Sequence, residues 1–303
     1  MNRPLQEFLD YLQYEKRYSP CTIIAYKTDC EFFLSFISDH DVLMDQVDNE
    51  IIYAFTALEI KMGHSRGTCR RRRCALKQFY RYLFNNGYIE SNPFELLGIF
   101  KDEKKVPLYL DEEQVDDILE KNEERTDAVK VRDLAIVAML YYTGMRVAEM
   151  TKLKLYDIRL DQHMVRVMGK GRKIRVIPFS ESCAQYLRNY IDDFRPKLLN
   201  DDQILEDHIF LNQQGGPLTN AGVQYILKKM DIDLKLNLGL HPHAFRHTFA
   251  TLMIDKGANM RILQELLGHS SINSTERYTH ISIKLLKEAV NVFQPNKPKP
   301  RNR

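Results

Sequence analysis

The chain has 303 residues, of which 44% are hydrophobic and 28% charged, and its net charge is +3. This composition is typical of a soluble globular protein with room for two domains. No segment approaches the roughly 18 consecutive apolar residues of a membrane-spanning helix, and the N-terminus lacks the pattern of a signal peptide. Five cysteines without a CxxC pair argue against structural zinc and favour reduced thiols in the cytosol.

The first 90 residues predict an all-helical domain. Apolar residues recur at the spacing of one buried helical face at Leu5, Phe8, Leu9 and Leu12. Ser19-Pro20 opens a second helix, in which the hydroxyl caps the first turn. Its predicted buried stripe consists of Ile23, Tyr26, Cys30, Phe33, Leu34 and Ile37. A third helix is predicted over 49–62 and a fourth over 66–86. The fourth places Cys74, Leu76, Phe79, Tyr80 and Leu83 on one face.

A linker is predicted over 91–110, since this segment contains two prolines and a mixed charge run. A second domain then spans 111–294, followed by a polar tail over 295–303. It begins with a helix capped by Asp111 and continues with a buried helix over 132–142. Residues 164–179 alternate between apolar and polar around a glycine-containing turn, which predicts an antiparallel hairpin, and helices return after Cys183. The sequence therefore predicts a mainly α protein whose second domain is mostly helical with a small antiparallel sheet.

Basic residues concentrate in two stretches without any acidic residue. The first contains Lys61, Arg66, Arg70, Arg71, Arg72, Arg73, Lys77 and Arg81, and the second contains Arg166, Lys170, Arg172, Lys173 and Arg175. On an otherwise nearly neutral chain, such clusters favour contact with the phosphates of DNA or RNA. The alternative is that each stretch is a solvated helix or hairpin face.

Two of the residues that could carry chemistry follow a glycine that ends the buried helix, and a third lies on the hairpin. Arg146 and Glu149 come directly after Thr143-Gly144 and are three residues apart, so they share a helix face and can form an ion pair. Lys170 lies at the tip of the hairpin between two glycines. Taken alone, the first pair is an ordinary capped helix and the lysine is an ordinary solvated turn residue.

A histidine and an arginine, His243 and Arg246, lie one turn apart near the start of a later helix. His243 and His247 also have the i, i+4 spacing of zinc ligands. The glutamate of an HExxH motif is missing, and Arg246 would place a cation beside the metal, so we expect no metal here.

The last two candidates, His269 and Tyr278, follow a helix-ending glycine and are nine residues apart. Together with the earlier residues they supply what cleavage of a phosphodiester needs. Arginines hold the non-bridging oxygens, histidines and a lysine move protons, and a tyrosine attacks the phosphorus. No Asp/Glu cluster of the kind that binds Mg²⁺ accompanies the set, so we expect no metal and no other cofactor.

The order Arg, Lys, His-x-x-Arg, His, Tyr resembles that of the tyrosine recombinase (phage integrase) family, and within it the bacterial Xer type. The segments that carry the resemblance are TGMRVAEM, GKGRKIRVIPF, HPHAFRHTFAT and LLGHSSINSTERYTH. The opening FLDYLQYEKRYSPCTIIAYKTD is similar to the start of the family's core-binding domain. No catalytic position departs from the family pattern.

The resemblance implies a role for each residue in strand cleavage. Tyr278 would attack the scissile phosphate and form a 3′-phosphotyrosyl bond, while Arg146 and Arg246 would hold the non-bridging oxygens. Lys170 would protonate the departing 5′-oxygen. Because the covalent bond keeps the energy of the phosphodiester, neither ATP nor a metal would be required. The partner strand would then attack, and strands would be exchanged through a Holliday junction.

The other implied roles concern support of the site and contact with DNA. His243 would be the acid/base partner, His269 a hydrogen-bond donor to the phosphate, and Glu149 a support behind Arg146. The resemblance implies a DNA clamp formed by a helical core-binding domain and a catalytic domain. The DNA contacts that it suggests are Arg66, Arg70, Arg71, Arg72, Arg73, Lys77, Arg81, Arg172 and Lys173.

The resemblance also implies partners and a cellular role. It suggests a tetramer on two double-stranded DNA sites, possible pairing with a sister Xer recombinase, and control by an FtsK-type DNA translocase. A C-terminal helix over 282–293, with an apolar stripe at Ile283, Leu286, Val290 and Phe293, either passes to a neighbouring subunit or packs on its own domain. The expected role is resolution of chromosome dimers at segregation, in the cytoplasm and associated with the nucleoid.

Three alternatives stay open at this point. A type IB topoisomerase would share similar chemistry, but the compact N-terminal domain argues against it. An integrase of a mobile element commonly has an additional N-terminal arm-binding domain, for which this chain leaves no room. A DNA-binding protein with an inactive relic of the site is the third alternative, and the complete residue set argues against it.

Overall fold

The computed structural model describes residues 3–95, 108–169, 173–203, 205–268 and 283–293. The chain divides into two compact units, Met1–Lys105 and Val106–Arg303. Residues 96–107 of the predicted linker and the whole of the predicted tail lie outside the described residues, so the predicted domain limits stay predictions. In the part that the structure describes, no helix has the length and apolar character needed to cross a membrane.

Helices form the first unit, as the sequence predicts. They are α1 (Arg3–Asp10), α2 (Pro20–Asp39), α3 (Asn49–Lys61) and α4 (Arg66–Asn85), and a π-helical turn, Tyr11–Glu15, continues α1. Ser19 caps α2 by accepting a hydrogen bond from the backbone N–H of Thr22. Aromatic rings dominate the core between these helices, with Phe33 packed edge-on against Phe55 at a centroid distance of 4.9 Å.

One residue of the predicted buried face of α4 is wrong, and the observed face includes residues that were not predicted. Cys74 is exposed, whereas Cys69 and Arg72 are buried with Leu76 and Phe79. Each residue turns a helix by about 100°, so Cys74 lies about 200° away from both Arg72 and Leu76. The arginine, rather than the cysteine, is in phase with the apolar stripe.

The second unit surrounds one buried helix. Its α-helices are α5 (Glu112–Glu123), α6 (Lys130–Thr143), α7 (Val147–Met150), α8 (Glu181–Arg188), α9 (Asn220–Asp233), α10 (Pro242–Asp255), α11 (Met260–Leu267) and α12 (Ile283–Phe293). Every residue of α6 from Arg132 to Thr143 is buried, and α6 packs against α5, α8 and α10. The mainly α fold with a small sheet is confirmed.

This unit also contains an antiparallel sheet of three strands in the order β1-β2-β3. The strands are β1 (Ile158–Arg159), β2 (Met164–Met168) and β3 (Ile174–Pro178). The predicted hairpin is confirmed as β2 and β3, paired from Met164↔Pro178 to Met168↔Ile174. Its tip, residues 170–172, lies outside the described residues.

Helix α12 packs on its own unit, against β3 and α11. Leu286, Ala289 and Val290 are buried in the core of this unit, whereas Ile283 is 47% exposed. Of the predicted stripe, Leu286 and Val290 therefore lie in the core of this unit and Ile283 does not, and the side chain of Phe293 lies outside the described ones.

Candidate active site

Arg146 begins the short helix α7 directly after the buried helix α6. Gly144 ends α6 in the left-handed conformation, with φ +59°. The backbone N–H of Arg146 donates to Oε2 of Glu149 at 2.8 Å, and its Nη1 donates to Oε1 at 3.1 Å. The ion pair predicted from the three-residue spacing is therefore present.

Arg246 lies in α10 and is 8% exposed. Its Nη1 donates to the carbonyl oxygen of Gly144 and its Nη2 to that of Leu267, both at 2.7 Å. These carbonyls close α6 and α11, where the helix dipole is negative and favours a cation. Burial, reinforced by the positive charge of Arg146, lowers the pKa of Arg246 to about 10, so the side chain stays charged at neutral pH.

The C-terminal end of α11 accepts hydrogen bonds from three arginines. Arg175 donates through Nε to Leu266 O at 2.9 Å, and Arg246 donates to the next carbonyl. Arg146 makes longer contacts, 3.4 Å to Leu267 O and 3.5 Å to Gly268 O. Three guanidinium groups from three separate elements thus converge on one helix end.

A single buried carboxylate, Glu149, neutralises part of this charge. Arg175 donates to both of its oxygens, through Nη1 at 3.0 Å and Nη2 at 2.8 Å, in addition to the two bonds from Arg146. Burial alone would raise the pKa of Glu149, but the hydrogen bonds from Arg175 and Arg146 hold it below its ordinary value of 4.5. With Arg246 included, three cations and one anion leave the cluster with a net charge of +2.

His243 lies in the first turn of α10, one turn before Arg246, and is exposed. Partial removal from water lowers the pKa of His243, and the positive charge of His247, Arg246 and Arg146 lowers it further. The imidazole is therefore mostly neutral at pH 7 and can accept a proton there. The side chain of Arg146 is 37% exposed, so the cluster also presents a guanidinium to solvent.

Lys170, Arg172, His269 and Tyr278 lie outside the described residues, and their predicted roles stay predictions. The residues immediately before two of them are described. A Cβ placed on Gly169 would lie 3.4 Å from Nη1 of Arg175, and one placed on Gly268 would lie 3.0 Å from the same atom. The chain therefore enters Lys170 and His269 from positions beside Arg175.

Arg175 is the site residue that sequence reasoning missed. Side chains alternate across a strand, and Arg175 has the parity of Ile177, which is fully buried. It pairs with Val167, which is also buried. An arginine at an inward-facing position of a predicted strand was the signal for a buried carboxylate partner.

The predicted DNA-contacting side chains of α4 differ in exposure. Arg66, Arg70, Arg71 and Arg81 are exposed, Arg73 and Lys77 are half-buried, and Arg72 is buried. Lys173 of the hairpin is exposed. Arg81 and Lys77 form ion pairs with Glu95.

Arg72 occupies an ion-pair network inside the first unit. It pairs with Asp29 and Glu59, both buried, and its guanidinium lies 4.2 Å from the centroid of the Phe32 ring. Arg71 pairs with Asp29 from the surface. A side chain held in this way stabilises the packing of the helices and leaves little exposed surface for a phosphate.

One group of neighbouring side chains among the described residues has the spacing of metal ligands. Glu206, Asp207 and His208 place their ligand atoms within 4.8 Å of one another. Lys154 already forms an ion pair with Asp207 at 3.0 Å, and His208 bonds Glu206 at 2.6 Å. Both carboxylates and the imidazole of the group are therefore already engaged by neighbouring side chains.

Comparison with known proteins finds two matching family models and similar proteins over nearly the whole chain. The model of the phage integrase family matches residues 109–284, and that of the phage integrase N-terminal SAM-like domain matches residues 5–87. A XerC tyrosine recombinase of Oceanobacillus iheyensis is 39% identical over 286 residues, which is 94% of this chain and 93% of that protein. A XerD tyrosine recombinase of Staphylococcus epidermidis is 34% identical over 296 residues, which is 97% of this chain and 99% of that protein.

A solved structure shares the fold. The XerH site-specific recombinase, bound to palindromic difH substrate in a post-cleavage complex, has a TM-score of 0.69 at 23% identity, over 96% of this chain and 84% of that one. The chain belongs to the phage integrase family and is a Xer-type tyrosine recombinase, a site-specific recombination enzyme.

Proposed function

We propose that the enzyme cleaves DNA through attack of Tyr278 on the scissile phosphate, which forms a 3′-phosphotyrosyl bond and releases a 5′-hydroxyl. The observation that carries this proposal is the arginine cluster at the end of α11, with its net positive charge and a neutral histidine beside it. The attacked phosphate gains charge on its non-bridging oxygens, and guanidinium groups fixed in advance stabilise that charge most effectively.

Three of the described side chains, Arg246, Arg146 and His243, have different roles in the proposed reaction. Arg246 uses two of its five N–H donors on helix carbonyls, which fixes the plane of its guanidinium. Arg146 is held from behind by Glu149 and keeps an exposed surface for the phosphate. The lowered pKa of His243 keeps its imidazole neutral, so that it can accept the proton of the nucleophile.

We assign the remaining steps to residues whose neighbours in the chain lie at the cluster. Lys170 follows Gly169 and protonates the departing 5′-oxygen, and His269 follows Gly268 and donates a hydrogen bond to the phosphate. Gly169 lies beside Arg175 and Glu149, and Gly268 lies beside Arg175. The covalent bond conserves the energy of the phosphodiester, and the arginines supply the positive charge, so neither ATP nor a metal ion is needed.

The proposed contact with DNA is electrostatic for the most part. The exposed basic side chains of α4 (Arg66, Arg70, Arg71 and Arg81) and the hairpin residues Arg172 and Lys173 bind phosphates and set the register of the protein on the duplex. Arg72 is excluded from this set because it is buried among carboxylates.

The proposed cellular role is resolution of chromosome dimers at segregation, by exchange of strands through a Holliday junction in a tetramer on two DNA sites. Its support is the resemblance to Xer recombinases over nearly the whole chain. The proposal includes a sister Xer recombinase and an FtsK-type translocase as partners, and action at the nucleoid in the cytoplasm. The alternative role is that of an integrase of a mobile element. Insertion by the enzyme of a circular element that carries its own gene would distinguish that role from resolution of chromosome dimers.

The test uses a nicked suicide duplex that carries the host's candidate recombination site, in EDTA and without ATP. Wild-type protein is expected to give a protein–DNA adduct on a denaturing gel, and Tyr278→Phe is expected to give none. Tyr225→Phe is the matched control, because Tyr225 is 67% exposed on α9 of the same unit. It should form as much adduct as wild type.

Persistence of the adduct in Tyr278→Phe would exclude Tyr278 as the nucleophile. If wild type binds the duplex without forming an adduct, addition of the sister recombinase decides the outcome. Adduct formation then supports a heterotetramer, and its continued absence supports a protein that only binds DNA.

A further inference from the structure

We propose that Arg175 is a positioning residue that fixes three parts of the site in one arrangement: the carboxylate behind Arg146, the hairpin strand that follows Lys170, and the helix end that precedes His269. The inference rests on the proposed function, because it assigns Arg175 to the alignment of groups that act on the phosphate. The described hydrogen bonds of the Arg175 side chain go to Glu149 and to Leu266 O, which is why we assign it a positioning role.

The contacts of Arg175 reach all three parts. Its backbone belongs to β3 and pairs with Val167 of β2. Its Nη1 and Nη2 donate hydrogen bonds to the two carboxylate oxygens of Glu149. Its Nε donates to Leu266 O at the end of α11. The side chain is 8% exposed, so these bonds are shielded from water. A planar guanidinium can donate from three nitrogens to separate acceptors at the same time. The ammonium group of a lysine cannot reproduce this geometry.

Gly169 and Gly268 allow the backbone to lie close to the Arg175 guanidinium. The positions of Gly169 and Gly268 are close enough to the Arg175 guanidinium that added Cβ atoms would lie 3.4 and 3.0 Å from Nη1. Gly268 also has φ +64°, which disfavours a side chain. The Arg175 side chain therefore packs close to the backbone directly before Lys170 and directly before His269, and its loss would remove that support from both.

Charge gives Arg175 a second effect on Arg146. Glu149 accepts two bonds from Arg175 and two from Arg146, one of them from the Arg146 backbone. Without Arg175, the buried carboxylate has a single guanidinium left to pair with. Arg146 would then move onto Glu149 and away from the phosphate. Arg175 thus keeps Glu149 satisfied, so that Arg146 stays available to the substrate.

The test measures single-turnover cleavage of the suicide duplex by the full chain, with the maximal rate and the half-saturating DNA concentration determined separately. Arg175→Gln is expected to lower the maximal rate about 10- to 100-fold, since misplacement of groups by about 1 Å costs this much. The half-saturating DNA concentration should change less than about threefold, because phosphate contacts outside the site dominate DNA affinity. Arg175→Lys keeps the charge and should recover part of the rate.

Arg195→Gln is the matched control for removal of a buried arginine. Arg195 is 5% exposed in the same unit and donates to the carbonyl oxygens of Glu206, His208 and Ile209. Arg195→Gln should lower the melting temperature and the active fraction while the rate per active molecule stays at the wild-type value. If Arg175→Gln behaves like this control, the role of Arg175 is structural and the inference is wrong.

Failure of the inference and failure of the proposed function give different results. Wild-type protein that forms no adduct even with the sister recombinase, or an adduct that persists in Tyr278→Phe, contradicts the proposed function. A normal wild-type reaction with wild-type maximal rates in Arg175→Gln and Arg175→Lys contradicts the inference alone. If Arg175→Gln does not fold, the maximal rate of Arg175→Lys decides, and a value equal to wild type overturns the inference.

Discussion

Nη2 of Arg246 lies 2.7 Å from the carbonyl oxygen of Leu267, two residues before His269 in the chain. This bond joins the helix that carries the His-x-x-Arg motif to the end of the helix that leads into the histidine and tyrosine motifs. The other terminal nitrogen of Arg246 binds Gly144 O, two residues before Arg146. The guanidinium of Arg246 therefore hydrogen-bonds to the chain segments of two other motifs. Its position depends on the backbone at both glycine-terminated helix ends.

Gly144→Ala should destabilise the protein more than another glycine replacement at positive φ. Gly144 has φ +59°, and a Cβ would lie 2.5 Å from Cδ1 of Phe249. Strain and overpacking together should cost about 2–4 kcal/mol in the free energy of unfolding. Gly257→Ala is the control, because φ is +83° and none of the described atoms lies within 4 Å of its Cβ. It should cost about 1 kcal/mol in urea denaturation, and equal losses in the two variants would contradict the predicted clash.

Glu149→Gln should lower stability in a manner that depends on pH. The folded pKa of Glu149 is below its ordinary value of 4.5. The ionised group therefore stabilises the fold above about pH 4.5, and this stabilisation is lost as the pH falls through the lower folded pKa. Wild type should exceed the variant by about 3 kcal/mol at pH 7, and the difference should shrink in acid.

Urea denaturation at a series of pH values measures this difference. Glu124→Gln is the control, because Glu124 is exposed at the end of α5 in the same unit. Its effect should stay within about 0.5 kcal/mol. A loss for Glu149→Gln that is the same at pH 7 and in acid would show that the charge of Glu149 is unimportant.

Two neighbouring arginines of α4 should differ in their effect on DNA binding. Arg70 is exposed, so Arg70→Gln should weaken binding and reduce the slope of log affinity against log salt by about 1. Arg72 is buried with Asp29 and Glu59, so Arg72→Gln should lower the melting temperature and leave the salt slope unchanged. Fluorescence anisotropy at several salt concentrations measures both slopes. A reduced slope in folded Arg72→Gln would place Arg72 on DNA.

Two buried tyrosines should respond oppositely to loss of the hydroxyl. The hydroxyl of Tyr80 has no hydrogen-bond partner among the described residues, so Tyr80→Phe should raise the free energy of unfolding by up to about 1 kcal/mol. The hydroxyl of Tyr190 accepts a hydrogen bond from the buried N–H of Leu211 at 3.0 Å. Tyr190→Phe should therefore cost about 1–2 kcal/mol. Destabilisation by Tyr80→Phe would indicate a polar partner for that hydroxyl.

The helices and the first site residues follow from local sequence signals. Apolar periodicity predicts α2, α4 and α6, and the three-residue spacing predicts the pair of Arg146 with Glu149. These features depend on interactions within one or two helical turns, which the sequence encodes directly. The strand β1 is missed because two residues are too few to show alternation.

Features that depend on distant partners are harder to predict. Four consecutive arginines over 70–73 look alike by charge, and only helical phase with Leu76 separates Arg72 from the others. Its partner Asp29 is 43 residues away, so no local pattern reveals the pair. Arg175 likewise finds Glu149 26 residues earlier, after a hairpin has reversed the chain.

The most direct test of the proposed chemistry is to identify the residue that carries DNA after cleavage. Trypsin cuts after Arg277 and Lys284, so Tyr278 is the only tyrosine in the peptide 278–284. The adduct trapped on the suicide duplex is digested with nuclease and trypsin, and tandem mass spectrometry locates the remaining nucleotide. The account predicts a nucleotide joined through its 3′-phosphate to Tyr278. A nucleotide on any other residue, or one joined through a 5′-phosphate, would contradict it.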